Sequence, residues 1–366
     1  MSLYIGLMSG TSMDGIDASL VDVHTHRLIK GITRPYTHEV KLALQNLLAT
    51  EKHELRTIYQ LNTLIGREFG AVANELLAEA KVSRERIAAI GSHGQTISHD
   101  AEADIPYTVQ LGCAHTIAEI TKIPVIADFR TRDLIVHGQG APLAPLYHQA
   151  LFSNLGYPLA AVNIGGIANL TGLLSENEVI GYDVGPGNCL MDAWIMHHQG
   201  KPYDARGKWA GQGHVIAPLL QALLDDPFFH KHYPKSIGKE YFSLNWLNTF
   251  LDESYEAVDV QATLLYLTAE LIAHEIFAEK IAFKKLIVCG GGAHNTALLL
   301  ALSQLLPQVE ILSSAKVAID PDFIEAQMMA WLAHQMIINN PLDLNSITGA
   351  QKKAVLGIFY PAGVDK

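Results

Sequence analysis

Cysteine and charge are both scarce in this chain. Its three cysteines, Cys113, Cys189 and Cys289, are odd in number, widely spaced and form no C-x-x-C pair. That excludes a disulfide-stapled scaffold and predicts reduced, largely buried thiols of the kind found in cytosolic proteins. Charged residues make up only 17% of the sequence, the net charge is −11, and lysine and arginine never gather in a run. A face for binding nucleic acid is therefore not expected. Apolar stretches are broken by polar residues well short of a membrane span, and the first residues enter a strand pattern with no basic n-region. We expect a cytoplasmic protein with neither membrane nor nucleic acid as a partner. His-x-x-x-His spacing, cysteine clusters and EF-loop patterns are missing, which argues against structural zinc or calcium. No Gly-Lys-Ser/Thr follows a glycine-rich run, so a P-loop is excluded.

What the chain does have is a conspicuous opening. Apolar alternation over Leu3 to Met8 and Ile16 to Val23 flanks a turn at Asp14-Gly15, a strong hairpin pair. Between the strands lie Ser9, Gly10, Thr11 and Ser12. Glycine lets backbone N–H groups approach an anion, and hydroxyls add donors, so such a hairpin suits a nucleotide's phosphates. A plain polar turn is the competing reading of this segment alone.

The same pattern returns near residue 159. Leu159 to Ile164 reads as a strand, Gly165-Gly166 as a turn, and Ile167 to Leu174 as the return strand. A third strand, Val179 to Val184, runs into Gly185-Pro-Gly-Asn188, as Arg27 to Tyr36 follows the first hairpin. Each half thus opens on a glycine-turned meander and continues into helical sequence. Such duplication predicts two similar domains, residues 1–150 and 151–366, with a nucleotide site in the cleft between them. The chain is long enough for two full cores.

Between the meanders, Leu55 to Ala80 carries the i, i+3, i+4 rhythm of an amphipathic helix. Ile87 to Ile90 reads as a short strand leading into a Gly91-Ser-His-Gly-Gln-Thr96 loop. A helix over Ala114 to Thr121 precedes a buried strand, Pro124 to Ala127, then Asp128-Phe-Arg130 and a Gly138 to Pro142 loop. In the second half a helix over Gln261 to Ala278 feeds the strand Lys285 to Cys289, then Gly290-Gly291-Gly292 and a leucine-rich helix. A last helix spans about Pro321 to Ile338. Strands alternating with helices after each meander predict an α/β fold with mixed sheets.

Candidate site residues cluster at these junctions. The triple glycine suits backbone lying against a flat ring or a phosphate, and equally suits a tight structural turn. The dinucleotide fingerprint fails there, because Asn295 occupies the third glycine's position. Asp183 reads as the end of a buried strand, and Glu325 sits in a helix's first turn; each alone fits a capping role as well as a chemical one. Asp14, Asp128, Arg130 and His93 read as strand-to-loop positions. Several ionisable groups beside glycine turns fit one polar cleft.

Taken in order, these motifs resemble the anhydro-N-acetylmuramic acid kinase family, within the superfamily of actin-like proteins, sugar kinases and heat-shock ATPases. The similarity runs from Gly6-Leu-Met-Ser-Gly-Thr-Ser-Met-Asp-Gly15 through Ser92 to Thr96, Ala127 to Arg130, Gly138 to Pro142 and Asn163 to Asn169. It continues through Asp183-Val-Gly-Pro-Gly-Asn188, Met191-Asp-Ala-Trp194 and Gly290 to Asn295. Val184, and Ala205-Arg206 within Asp204 to Gly207, depart from the family's pattern.

The resemblance implies two actin-like (ribonuclease H-like) domains and an ATP- and Mg²⁺-dependent reaction. ATP, water and 1,6-anhydro-N-acetylmuramic acid would give ADP and N-acetylmuramic acid 6-phosphate in peptidoglycan recycling. Asp183 would be the general base, and Glu325 would orient water or sugar. Gly10, Thr11, Ser12, Met13, Asp14, Gly15, Ile16 and Asp17 would hold the β- and γ-phosphates, with Asp14 near the Mg²⁺ waters. Gly290, Gly291 and Gly292 would lie beside the adenosine. Thr96 and Arg130 would bind the sugar, whose lactyl carboxylate calls for a cation. A homodimer is expected. A nucleotide-gated binding protein and an uncoupled hydrolase are the competing classes.

Overall fold

A computed structural model describes residues 2–10, 13, 15–49, 54–233, 235–238, 241–278 and 281–363. Thr11, Ser12 and Asp14 of the expected phosphate hairpin lie outside the described residues. The chain divides into two compact units, one of Met1–Ala141 with Phe323–Lys366 and one of Pro142–Asp322. This corrects the expected split at residue 150. The C-terminal segment belongs with the first unit because its helix and last strand pack there.

In the first unit, β1 (Leu3–Ser9), β2 (Ile16–Asp22) and β3 (Arg27–Arg34) form the expected meander. Helices His38–Leu48 and Leu55–Ala80 then cross over to β4 (Ile87–Asp100), which lies parallel to β1. A parallel partner requires a long crossover of this kind. β5 (Tyr107–Leu111) turns back on β4, helix Ala114–Thr121 leads to β6 (Val125–Ala127), and β6 pairs parallel with β4.

In the second unit, β7 (Leu159–Ile164), β8 (Ile167–Ser175) and β9 (Glu178–Pro186) form another meander. β10 (Lys285–Cys289) follows helix Ala257–Ala278 and pairs parallel with β7, and β11 (Glu310–Ser313) pairs parallel with β10. β12 (Ile358–Tyr360) returns to the first unit, antiparallel to β6. The strand orders β3-β2-β1-β4-β6 and β9-β8-β7-β10-β11 are the same path laid down twice. Both sheets are mixed and flanked by helices, which is the α/β class the sequence predicts.

Three local expectations change. The 91–96 segment is no loop: it is the middle of β4, so His93 sits within a strand. Asp183 likewise lies inside β9 and not at its end, because the strand continues through Gly185 and Pro186. β5 and β12 carry weak apolar patterns and were not anticipated.

The helix Ile324–Ile337 explains the placement of the C-terminal segment. Its Ala326, Ala330 and Ala333 fall at i, i+4 and i+7 on one face. Under it, register aligns Gly91, Gly6, Ser19 and Gly31 in one row across β4, β1, β2 and β3. A Cβ on Gly6 would lie 1.7 Å from the Ala326 carbonyl oxygen, and one on Gly91 1.9 Å from that of Met329. The helix backbone therefore rests directly on the sheet. Gly6→Val should destabilise the first unit by at least the 1–3 kcal/mol typical of core overpacking (roughly), read from denaturant unfolding. Wild-type stability in that variant would mean that the helix does not lie on β1.

Candidate active site

In the first unit, the hairpin's ends are pinned by buried polar groups. The Ser9 hydroxyl lies 2.8 Å from the Gly15 carbonyl and 2.9 Å from Gln95 Oε1. Gln95 Nε2 donates to the Gly10 carbonyl at 3.1 Å, and the Tyr36 hydroxyl donates to Gln95 Oε1 at 3.3 Å. Ser9 and Gln95 are register partners of β1 and β4, so strand pairing itself sets this contact. Met13 N–H donates to Gly10 C=O at 3.2 Å with Met13 in the left-handed region, φ 57°. Gly15 is required, because a Cβ there would meet the Arg34 carbonyl oxygen at 2.5 Å. Sequence reading missed Gln95, whose side chain closes the loop from a strand that reads as a loop.

Arg130 anchors the other polar cluster of this unit. It donates from Nε to His93 Nε2 at 2.9 Å and from Nη1 to the Gly140 carbonyl at 2.6 Å. His93 Nδ1 lies 2.9 Å from the Gly94 carbonyl. A guanidinium only donates and a carbonyl only accepts, so these partners assign the Nδ1–H tautomer. Burial first, and the Arg130 charge second, push His93 down to about 3. The neutral ring thus spaces Arg130 from the strand. Fully buried Asp133 supports the same loop, accepting from Gly140 N–H at 2.7 Å and from the Thr348 hydroxyl at 2.9 Å.

Glu325, in the first turn of its helix, belongs to this unit and feels both Asp17 and Arg130. Burial holds its carboxyl above the usual carboxylate range, Asp17 pushes the same way, and Arg130 opposes them. Asp17 also accepts from the Thr33 hydroxyl at 2.6 Å. The Thr96 hydroxyl accepts from Gln110 Nε2 at 3.3 Å. Asp128 is a turn carboxylate: its Oδ1 accepts from Thr131 N–H at 3.2 Å.

In the second unit, Asp183 is buried at 8% exposure. Register places it in a row with Asn169, Asn163 and Cys289 across β9, β8, β7 and β10. Its backbone N–H donates to the Lys235 carbonyl at 3.1 Å, and its Oδ2 accepts from Ile237 N–H at 2.9 Å. Val184 is the extra residue of a bulge between Asp183 and Gly185, and it packs into the unit's apolar core. That accounts for an apolar side chain at this departure from the family's pattern. Gly290, at φ 71°, abuts the same row, for a Cβ there would meet Asn163 Oδ1 at 2.6 Å.

Gly291 lines a cavity of about 420 Å³ with Asn188, Asp192, Tyr203, Arg206, His294 and Asp322. Gly292 is packed against Ile164, so within the triple glycine only Gly291 lines this cavity. Tyr203, His294 and Asp322 were not anticipated; Tyr203 and Asp322 lie in irregular segments and His294 ends a single 3-10 turn, Gly291–His294, too short for a periodic signal. Among the described residues no group of three His, Cys, Asp or Glu side chains is placed to hold a metal. No helix there is long and apolar enough to cross a membrane.

A sequence model of the anhydro-N-acetylmuramic acid kinase family matches residues 2–362. The anhydro-N-acetylmuramic acid kinase of Legionella pneumophila (strain Corby) is 56% identical over 361 residues, covering 99% of each chain. That of Xanthomonas oryzae pv. oryzae (strain MAFF 311018) is 45% identical, covering 98% of this chain and 97% of its own. Among solved structures, the activator of the 2-hydroxyisocaproyl-CoA dehydratase from Clostridium difficile with bound ADPNP aligns over 92% of this chain and 96% of its own. Its TM-score is 0.47 at 12% identity, a likeness that carries no argument about function.

The buried His93 makes stability depend on pH with a definite sign. Its pKa drops from 6.5 to about 3 on folding, so as pH falls below 6.5 the unfolded chain takes the proton first. The stabilising contribution is complete above pH 6.5 and is lost towards pH 3. His148, pushed down to about 4 in the second unit, acts in the same sense. His93→Gln keeps a donor and an acceptor but cannot titrate. It should lose less stability than the wild type between pH 7 and pH 5, measured by denaturant unfolding at each. Equal losses would show that His93 is not held neutral in the folded protein.

Proposed function

Because the chain belongs to the anhydro-N-acetylmuramic acid kinase family, we propose that it joins ring opening to phosphoryl transfer. In this reading ATP, water and 1,6-anhydro-N-acetylmuramic acid give ADP and N-acetylmuramic acid 6-phosphate. The supporting observation is Asp183, a buried carboxylate of β9 that accepts from the Ile237 backbone N–H and is followed along its row by Asn169 and then Asn163. The setting that goes with this reading is cytoplasmic peptidoglycan recycling by a homodimer.

Water attacks the anomeric carbon, Asp183 takes its proton, and the bond from that carbon to O6 breaks. O6 accepts the γ-phosphoryl group, and ADP leaves. Phosphoryl transfer asks mainly for positioning and charge neutralisation. We assign the β- and γ-phosphates to residues 10–17, whose loop is closed at its base by Ser9 and Gln95. Gly290 to Gly292 are assigned to the adenosine side, with Gly291 opening on the 420 Å³ cavity. Arg130, already oriented by His93 and Gly140, is assigned to the lactyl carboxylate. Thr96 is assigned to the sugar, and Glu325 to the attacking water or the sugar.

A kinase magnesium ion would be held by the nucleotide's phosphates, water and one or two carboxylates. When bound it neutralises charge on the phosphates, and Asp14 is the carboxylate we assign near its waters.

Asp183→Asn preserves shape but cannot accept a proton. Turnover should fall about 10²- to 10⁴-fold, the usual worth of a general base, while ATP binding survives. In ¹⁸O-water the wild type should place label at the anomeric carbon and none in the transferred phosphoryl group. Label in phosphate would mean that water attacks ATP, and the protein would then be an uncoupled hydrolase.

A further inference from the structure

We propose that Lys235 is a positioning residue for Asp183, and that the buried Lys235–Glu275 ion pair locks the base in place. The inference rests on the reading of Asp183 as the base. Residues 235–238 form no strand or helix, yet they hold Asp183 twice. The Lys235 carbonyl accepts from the Asp183 backbone N–H at 3.1 Å, and Ile237 N–H donates to Asp183 Oδ2 at 2.9 Å. An irregular strap can aim a carboxylate only if something fixes the strap.

Lys235 does so. It is 4% exposed, and its Nζ lies 2.8 Å from Glu275 Oε1 on the helix Ala257–Ala278. The second Glu275 oxygen accepts from the Tyr182 hydroxyl at 3.1 Å, and Tyr182 directly precedes Asp183. The ammonium also sits 5.6 Å from the centre of the Tyr182 ring and 5.4 Å from that of Phe228. Tyr233 stacks on Tyr182 with centroids 5.0 Å apart and planes inclined by 4°. Asp183, Ile237, Lys235, Glu275 and Tyr182 therefore close a ring through backbone, hydrogen bonds and one ion pair.

Stability alone does not call for a charged pair here. Burying two charges costs desolvation, and an apolar pair of similar volume is often as stable or more so. What an apolar pair lacks is direction. A Lys–Glu contact fixes the strap's position along the helix, and Tyr182 ties that position to the strand that carries the base.

The double variant Lys235→Met/Glu275→Leu removes the ion pair without leaving a lone buried charge. We expect its thermal midpoint to stay near that of the wild type. Its kcat should fall about 10- to 100-fold, the scale of a misplaced catalytic group, with KM for ATP and for the anhydrosugar unchanged. In an Asp183→Asn background the same swap should cost little more, because both changes act on one step. Wild-type kcat in the double variant, or a loss that adds fully to that of Asp183→Asn, overturns the proposal. Should the swap unfold the protein, Tyr182→Phe keeps the ion pair and breaks the ring at one bond. A lower kcat at unchanged KM then supports the lock, and wild-type kcat overturns it. Full turnover by Asp183→Asn itself would remove the base assignment and this inference together, whereas an inactive Asp183→Asn beside a fully active swap removes only the inference.

Discussion

The first unit depends on a helix backbone lying directly on a sheet. Gly6 and Gly91 leave no side chain between β1, β4 and the helix Ile324–Ile337, and alanines on the helix face complete the fit. Gly31 admits the Phe323 ring at the same level, 2.6 Å from where a Cβ would stand. The contact delivers Glu325, from late in the sequence, to the neighbourhood of Asp17 and Arg130. Distance along the chain is bridged by the absence of side chains.

The second unit meets a similar demand by other means. Its base candidate lies within a strand, and a bulge at Val184 adjusts the register beside it. Bulges re-aim side chains next to functional positions at the cost of one unpaired residue. An irregular strap and a buried ion pair then fix the carboxylate, where the first unit uses strand pairing to set Ser9 against Gln95.

Much of this was legible in the sequence. Meanders with alternating apolar residues declared themselves, and the helix Leu55–Ala80 has the bounds its periodicity predicts. What escaped were elements whose stability comes from distant partners. β5 is a short strand whose pattern is masked by polar residues, and β12 is formed by pairing with β6 from far away in sequence. Glycines at 91 and 94 read as a loop, although the first is there to admit a helix and the second takes a left-handed turn within β4. Similarly, the roles of Gln95 and Lys235 follow from burial and partners, which no local spacing encodes.

The discontinuous make-up of the first unit also has a consequence for biosynthesis. Domains tend to fold as units while the chain emerges from the ribosome. The second unit, Pro142–Asp322, is contiguous and can close as soon as its own residues are out. The first unit has five of its six pairings between strands by residue 127, but β12 and the covering helix come last. Until residues 323–363 arrive, the row Gly91, Gly6, Ser19, Gly31 stays open to water on its helix side. A chain held back just after residue 322 has emerged would therefore carry a finished second unit and an unroofed first sheet, the natural target for a chaperone that reads exposed strands.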